Sequence, residues 1–339
     1  MIFMATITRN DVAKVAGVAP STVSNVLNNK GNVSEARRKR VLEAIQRLDY
    51  HPNVVARSLM KKTSNQFALF MEDITNPHFA TMAKGAAEEA AKQGYVLSVN
   101  FTAQNVNDIV EDYISRHVDG IIFNSYSGKL SEHMIEKLGN SNIACIRCGD
   151  INKLDFPFIG LDYYGGMMQV YSYLSEKGHQ KIAYISGQGK EQYNRELRAQ
   201  AFYSCCQQSD EGFDESYIEY GKPPYLTDRQ SGFENCKRLF ERNNDFTAII
   251  VANDYMALGV IEYLKSVHIR VPEDISIVSF DNSIFSLCSS PNLTSAGSDV
   301  AELGRRAVQK LIHLKQGFHE PHEEWVEMDI YEKGSVKAI

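Results

Sequence analysis

Along the first fifty residues the apolar positions recur at helical spacing and are broken at short intervals by turn-forming residues. Val12, Ala13 and Ala16 share one face of a first helix, which Thr8 can cap and in whose first turn Asp11 places a favourable negative charge. Gly17 supplies the backbone freedom for a sharp turn. Pro20 suits the opening turn of a second helix, where its missing N–H costs nothing. Val23, Val26 and Leu27 give that helix an inward face and leave Ser21, Ser24, Asn25 and Asn28 outward. A third helix opening at Ser34 is expected to bury Val41, Leu42, Ile45 and Leu48. Three short helices with a tight turn between the first two predict a helix-turn-helix, whose second helix enters the DNA major groove. On pattern alone, its polar side is either a reader of bases and phosphates or the solvated face of a small bundle.

Residues 48–62, "LDYHPNVVARSLMKK", continue with Val54, Val55, Ala56 and Leu59 as the apolar members of a helix from Asn53 to Met60. A helix that short does not persist alone, because nucleation is costly. It becomes ordered against a partner or DNA, or else the segment is a linker. From about residue 65 the pattern changes. "NQFALFME" predicts a buried strand, Asn76-Pro77 opens a helix running to Gly94, "YVLSVNF" is a strand, a helix follows near 105–116, and "DGIIFNS" is a strand. The alternation resumes with "KIAYISG", "TAIIVAN" and "ISIVSFD". Strands alternating with helices predict parallel sheets covered on both faces. The two runs, roughly 65–161 and 162–290, hold enough material for two such sheets.

Charge sharpens this division. Of the 36 Lys+Arg and 42 Asp+Glu in the 339-residue chain, residues 1–62 hold 11 basic and 4 acidic, so the head carries +7 and the remainder −13. A basic head on an acidic body is the footprint of a chain whose head alone meets a polyanion. No apolar run reaches membrane-spanning length and no signal-peptide pattern opens the sequence, so a cytoplasmic protein is expected. Cys145 and Cys148 have CxxC spacing, but no second pair completes a metal set. They are expected to be buried thiols, and neither metal nor cofactor is expected.

Ligands of open α/β sheets bind beyond the carboxyl ends of strands. Asn124, Ser125, Asn253, Asp254 and Asp281 stand at such ends. Asn253 or Asp254 equally reads as a helix cap, and Asp281 as the start of a turn. The sequence holds no P-loop, no nucleophile elbow and no HExxH, so nothing asks for an enzyme. The rival readings are a free solute-binding protein, which would need an export signal and no basic headpiece, and a sugar-processing enzyme, which should show turnover on a candidate ligand.

"DVAKVAGVAPSTVSNVLN", "VSEARRKRVLEAIQRLDYHPNVVAR", "NPHF", "VANDYMALG" and "VPEDISIVSFD" occur in the order that resembles the Lac repressor family of bacterial transcription regulators. The resemblance implies a sequence-specific DNA-binding regulator, a repressor, controlled by a small effector, a sugar or sugar derivative. It implies an all-α helix-turn-helix headpiece (1–52), a hinge helix and linker (53–64), and an α/β periplasmic-binding-protein-like body of two parallel-sheet subdomains (65–339). The first subdomain is expected over about 65–161 and 293–320, the second over about 162–290 and 323–339. By the resemblance, Pro20, Ser21 and Asn25 occupy base-reading positions, while Thr8, Thr22, Ser24, Asn28, Ser34 and Asn53 match backbone-contacting ones. Leu59 would be the wedge between base steps in the minor groove. Many relatives carry Arg at Asn25, and Asn pairs bidentately with adenine where Arg pairs with guanine. Ala19 replaces a usual Ser and removes a good N-cap.

In the body, Arg198 in "RAQAF" matches the effector-binding Arg of the family, Asn253 and Asp281 match polar contacts, and Phe79 matches a cleft wall. Asn124 joins them from its strand end, and Tyr225 is a stacking candidate from the loop "YGKPPYLTDRQSG". Gly149 stands where many sugar-responsive members have Asp, and Arg147, if it faces inward, would suit a phosphorylated or acidic ligand. Operator DNA, a carbohydrate effector and a second copy of the chain are the expected partners. A dimer is favoured over a tetramer because "VEMDIYEKGSVKAI" lacks leucine heptads.

Overall fold

The computed structural model describes residues 7–29, 33–51, 63–101, 105–124, 130–148, 155–191, 196–208, 214–319 and 321–339. Its contacts divide the chain into Met1–Ser64 and Asn65–Ile339. In the first unit, α1 (Arg9–Ala16), α2 (Pro20–Leu27) and α3 (Glu35–Leu48) follow the predicted punctuation. The Thr8 backbone N–H and hydroxyl donate to the Asp11 carboxylate at 2.8 and 2.6 Å, fixing the first turn. Gly17 takes the left-handed backbone (φ 64°) that ends α1, and the Val18 N–H returns to the Ala13 carbonyl. Val12, Ala13, Ala16, Val23, Val26, Val41, Ala44 and Tyr50 form the core. Leu42 departs from expectation, being 51% exposed. One helical step from the buried Val41 rotates it by about 100°, so Ala44 takes the inward place instead.

The second unit begins with β1 (Gln66–Met71), α4 (Pro77–Lys92), β2 (Val96–Phe101), α5 (Val106–Ser115), β3 (Gly120–Asn124), α6 (Glu132–Gly139) and β4 (Ala144–Cys148). The four strands are parallel in the order β2-β1-β3-β4. Phe67, Leu69 and Met71 enter one buried cluster while Ala68 and Phe70 enter another, so β1 is covered on both faces. Cys145 and Cys148 likewise go to opposite clusters, as free buried thiols that cannot converge on one ion. Burial pushes the Cys145 thiol up to about 12.

After β5 (Gly160–Leu161), the chain builds a second lobe from α7 (Tyr163–Glu176), β6 (Ile182–Ile185), α8 (Leu197–Gln208), β7 (Ile218–Glu219), α9 (Arg229–Arg242), β8 (Ala248–Val251), α10 (Asp254–Ser266), β9 (Ser276–Phe280), α11 (Ile284–Cys288) and β10 (Thr294–Gly297). It returns to the first lobe in α12 (Val300–Lys315) and ends through β11 (Trp325–Val326) and β12 (Asp329–Tyr331). The second sheet runs β12-β10-β9-β8-β6-β7, with only β12 antiparallel to its neighbour. The return to the first lobe was expected at 293. It falls after Gly297, because Thr294, Ser295 and Ala296 pair with Val278, Ser279 and Phe280. β5 and β11 pair with each other beside the two sheets.

α12 seats against α4 through glycine. A Cβ on Gly304 would lie 2.2 Å from the Met82 carbonyl oxygen, closer than any real contact, and the obstacle is backbone. Gly304→Ala is therefore expected to destabilise the body by about 1–3 kcal/mol through overpacking. The check is the urea midpoint of the variant against the parent; equal midpoints would mean the two helices separate freely. Among the described residues, no helix is long and apolar enough to cross a membrane.

Candidate DNA-reading face and effector cleft

On α2, Pro20 and Ser21 are exposed and Thr22, Ser24 and Asn25 half-buried, while Val23 and Val26 turn inward. Among the described residues the Asn25 amide makes no hydrogen bond, so its donor and acceptor are both available to a base edge. Asn28 is differently placed: its Nδ2 donates to the Ser24 carbonyl at 2.8 Å. Ala19, at the N-cap of α2, offers no side-chain bond, and Ser34 stands exposed at the N-cap of α3. Asn53 and Leu59 lie outside the described residues, as do Ser125 and Gly149.

In the body, Asn253 and Asp281 follow the carboxyl ends of β8 and β9. Arg198 enters from the first turn of α8, donating from Nη1 to the Ala252 carbonyl at 2.5 Å and from Nε to Glu196 at 2.9 Å. Its guanidinium lies 4.4 Å from the Tyr163 ring centroid and 5.6 Å from that of Phe280. Glu196 is buried and also accepts from the Tyr184 hydroxyl at 3.0 Å and the Ala199 N–H at 2.8 Å. Burial, with the Asp281 charge adding to it against Arg198, holds the Tyr163 phenol protonated well above its usual range. Asp281, just past β9, is buried with φ 98°, a backbone region that costs an L-residue free energy.

Asn253 is the N-cap of α10. Its Oδ1 accepts from the Met256 N–H at 2.8 Å, and its Nδ2 donates to the Thr227 carbonyl at 3.3 Å. Asp254 is wholly buried and accepts four hydrogen bonds, from the Ser279 and Ser295 hydroxyls and from the Ser283 N–H and hydroxyl. It ties β9, β10 and α11 together rather than facing a ligand. Tyr225 occupies the loop that receives Asn253, but its hydroxyl is committed to Glu191. Asn124 is buried, with Nδ2 3.0 Å from the Met82 sulfur. Phe79 is half-buried, edge-on to His78.

Sequence reasoning passed over His78, Tyr163 and Glu196. His78 lay within the quoted "NPHF", and as the second residue of α4 it brings its Nδ1 to 3.3 Å from Asp281 Oδ1, across the two lobes. Arg147 does not serve the cleft. Its Nε donates to the Phe156 carbonyl, its Nη2 pairs with Glu323, and its guanidinium covers the Phe158 ring. A surface groove of about 550 Å³ between the end of α10 and Ser290-Pro291 includes none of these strand-end groups.

Two family models match the chain: bacterial regulatory proteins, lacI family, over residues 8–53, and a periplasmic binding protein-like domain over residues 171–336. Catabolite control protein A of Priestia megaterium is 33% identical over 309 residues, covering 90% of this chain and 91% of that protein. The chain belongs to the lacI family of bacterial regulatory proteins. Another lacI-family relative, the HTH-type transcriptional repressor PurR of Pasteurella multocida (strain Pm70), is 32% identical over 91% of each chain. The Lac repressor dimer bound to operator and the anti-inducer ONPF matches in fold, with a TM-score of 0.86 at 24% identity over 98% of this chain and 100% of that one. Like its family, this chain is a DNA-binding, effector-responsive transcription regulator and not an enzyme.

Proposed function

We propose that this lacI-family regulator is a cytoplasmic repressor that binds a near-palindromic operator as a homodimer and releases or grips it in response to a carbohydrate. Residues 1–52 form the reader and 53–64 the hinge, with Leu59 as the minor-groove wedge. Pro20, Ser21 and Asn25 read bases, while Thr8, Thr22, Ser24, Asn28, Ser34 and Asn53 hold the backbone. The unengaged Asn25 amide on a +7 head carries the DNA side of this reading. In the body, Arg198 and Asp281 are the central effector contacts, flanked by Phe79 and Asn124 from the first lobe and by Asn253 and Tyr225 from the second. Ile284 and Leu287 of α11 are 54% and 55% exposed, apolar surface that a second copy would cover. Among the solved structures of similar fold, one is a Lac repressor dimer on operator and another a CelR–cellobiose complex, which supports both the dimer and the carbohydrate.

The test is selection of genomic fragments by the full chain, followed by titration of the selected site at several salt concentrations. Log affinity should fall linearly with log salt as the head displaces counterions. Asn25→Ala is expected to flatten the preference at one base pair per half-site by about 1–3 kcal/mol and to leave the salt slope unchanged. Equal weakening on all sequences would remove Asn25 from base reading.

A further inference from the structure

We infer that Asp119 and Lys315 form a clamp that sets the direction in which the hinge segment joins the body, and that both are positioning residues for operator binding. The inference rests on the reading of 53–64 as a hinge and names what holds its body end. Asn65, the first residue of the body, is held through both of its main-chain polar groups. Its N–H donates to Asp119 Oδ2 at 2.6 Å, and its carbonyl accepts from the Val96 N–H at 2.9 Å. The Asp119 N–H donates in turn to the Gln66 carbonyl at 2.9 Å, so one residue grips two consecutive positions. Asn65 takes a left-handed backbone (φ 52°), a sparsely populated conformation, so the path of the chain into β1 is specific.

The grip is anchored from the far side. Asp119, just before β3, has a side chain only 1% exposed, and its Oδ1 accepts from the Nζ of Lys315, the last residue of α12. α12 has little freedom to shift, because a Cβ on Gly304 or Gly85 would lie 2.2 or 2.0 Å from a carbonyl oxygen of the facing helix. Stability alone does not account for such a pair. Desolvating a buried charge costs about as much as its partner's attraction returns, and apolar residues of similar volume often do as well. What the pair adds is a fixed arrangement, and the thing fixed is Asn65. Leu59 stands six residues upstream, so a tilt of about 20° at Asn65 would displace it by roughly 3 Å or more. That is close to the spacing of stacked bases, about 3.4 Å.

Titration of the parent's highest-affinity genomic fragment, and of a scrambled fragment of equal length, tests this well below each variant's melting midpoint. Lys315→Met is expected to weaken the selected fragment by about tenfold or more. The scrambled fragment should bind as before, since the +7 head is untouched. Lys315→Arg, which keeps a cation for Asp119, should stay within about threefold of the parent. Lys315→Met also strands the Asp119 carboxylate, so its melting midpoint should fall. Adding Asp119→Leu removes the stranded charge and should raise the midpoint again. The selected fragment should nevertheless stay weakly bound, because the Asn65 N–H has lost its acceptor. Affinity that returns together with the midpoint overturns the inference, as does parental affinity in folded Lys315→Met or equal weakening on both fragments. Leu59→Ala checks the reading underneath. If it binds the selected fragment like the parent, the hinge reading falls and this inference with it; if it alone weakens binding, the hinge stands and the clamp is wrong.

Discussion

Replacing Arg198 by Ala is expected to abolish the effector response and to lower the thermal midpoint by on the order of 10 °C. The two effects have separate causes. Removing the guanidinium takes away a central ligand contact, and it also strands Glu196, whose buried carboxylate keeps only the Tyr184 and Ala199 donors. Breaking a buried ion pair from one side costs about 3–5 kcal/mol because the remaining charge is uncompensated. The double variant Arg198→Ala with Glu196→Gln should therefore recover most of the midpoint while remaining deaf to effector. Well below the transition, operator affinity without effector should stay near that of the parent. Leu59→Ala should do the reverse, weakening operator binding while leaving effector affinity alone in the absence of DNA. Coupling of about 1–3 kcal/mol between the sites corresponds to a change of roughly 5- to 150-fold in operator affinity. Calorimetry with ligand and titration with DNA, run on each variant, separate these roles; parental effector affinity in Arg198→Ala would displace the site from Arg198.

Asp254→Ala is expected to cost about 3 kcal/mol, since it leaves four donors from three serines facing an empty buried volume. Asp254→Asn probes the same carboxyl through pH. Burial, reinforced by Asp281, pushes this carboxyl up to about 6. The folded chain therefore holds the proton more tightly than the unfolded chain, whose carboxyl titrates near 4. Stability from this group is fully present below about pH 4 and is lost as pH rises through about 6. The Asn side chain copies the neutral form, so the variant should gain on the parent by about 1–2 kcal/mol between about pH 5 and pH 8. Urea unfolding at both ends of that range gives the difference, and parallel behaviour of the two chains would mean the carboxylate stays ionised throughout.

The architecture was legible wherever periodicity was strong. "KIAYISG", "TAIIVAN" and "ISIVSFD" became β6, β8 and β9, and the Gly17 turn lies between two short helices as its flanking residues required. β10 was not legible, because Thr294, Ser295, Ala296 and Gly297 are small or polar and earn their burial only from the neighbouring β9 and the Asp254 hub. The site followed the same rule. Asp281 could be placed at a strand end from pattern, and Arg198, in the helical "RAQAF", was reached through the resemblance. Asn253, by contrast, carries a strong local capping signal, and in the structure capping uses its Oδ1 while Thr227 takes its Nδ2. His78 escaped notice because nothing within ten residues of it explains it; its meaning comes from Asp281, two hundred residues away in the other lobe. Arg147, which would have served a ligand only by facing inward, is instead paired with Glu323, which reaches it from the far end of the chain.

Trp325 is the single tryptophan of the sequence, and it lies on β11, where it pairs with Gly160 of β5. Its ring centroid is 4.5 Å from that of Phe158, and the residue is 46% exposed. β5 and β11 are two of the strands by which the chain passes between its lobes. The protein thus carries one indole, half in water and half against an aromatic ring, on a strand pair that joins the lobes. Excited where its 17 tyrosines do not absorb, the unlabelled chain emits from that one site, with no second indole to dilute the signal.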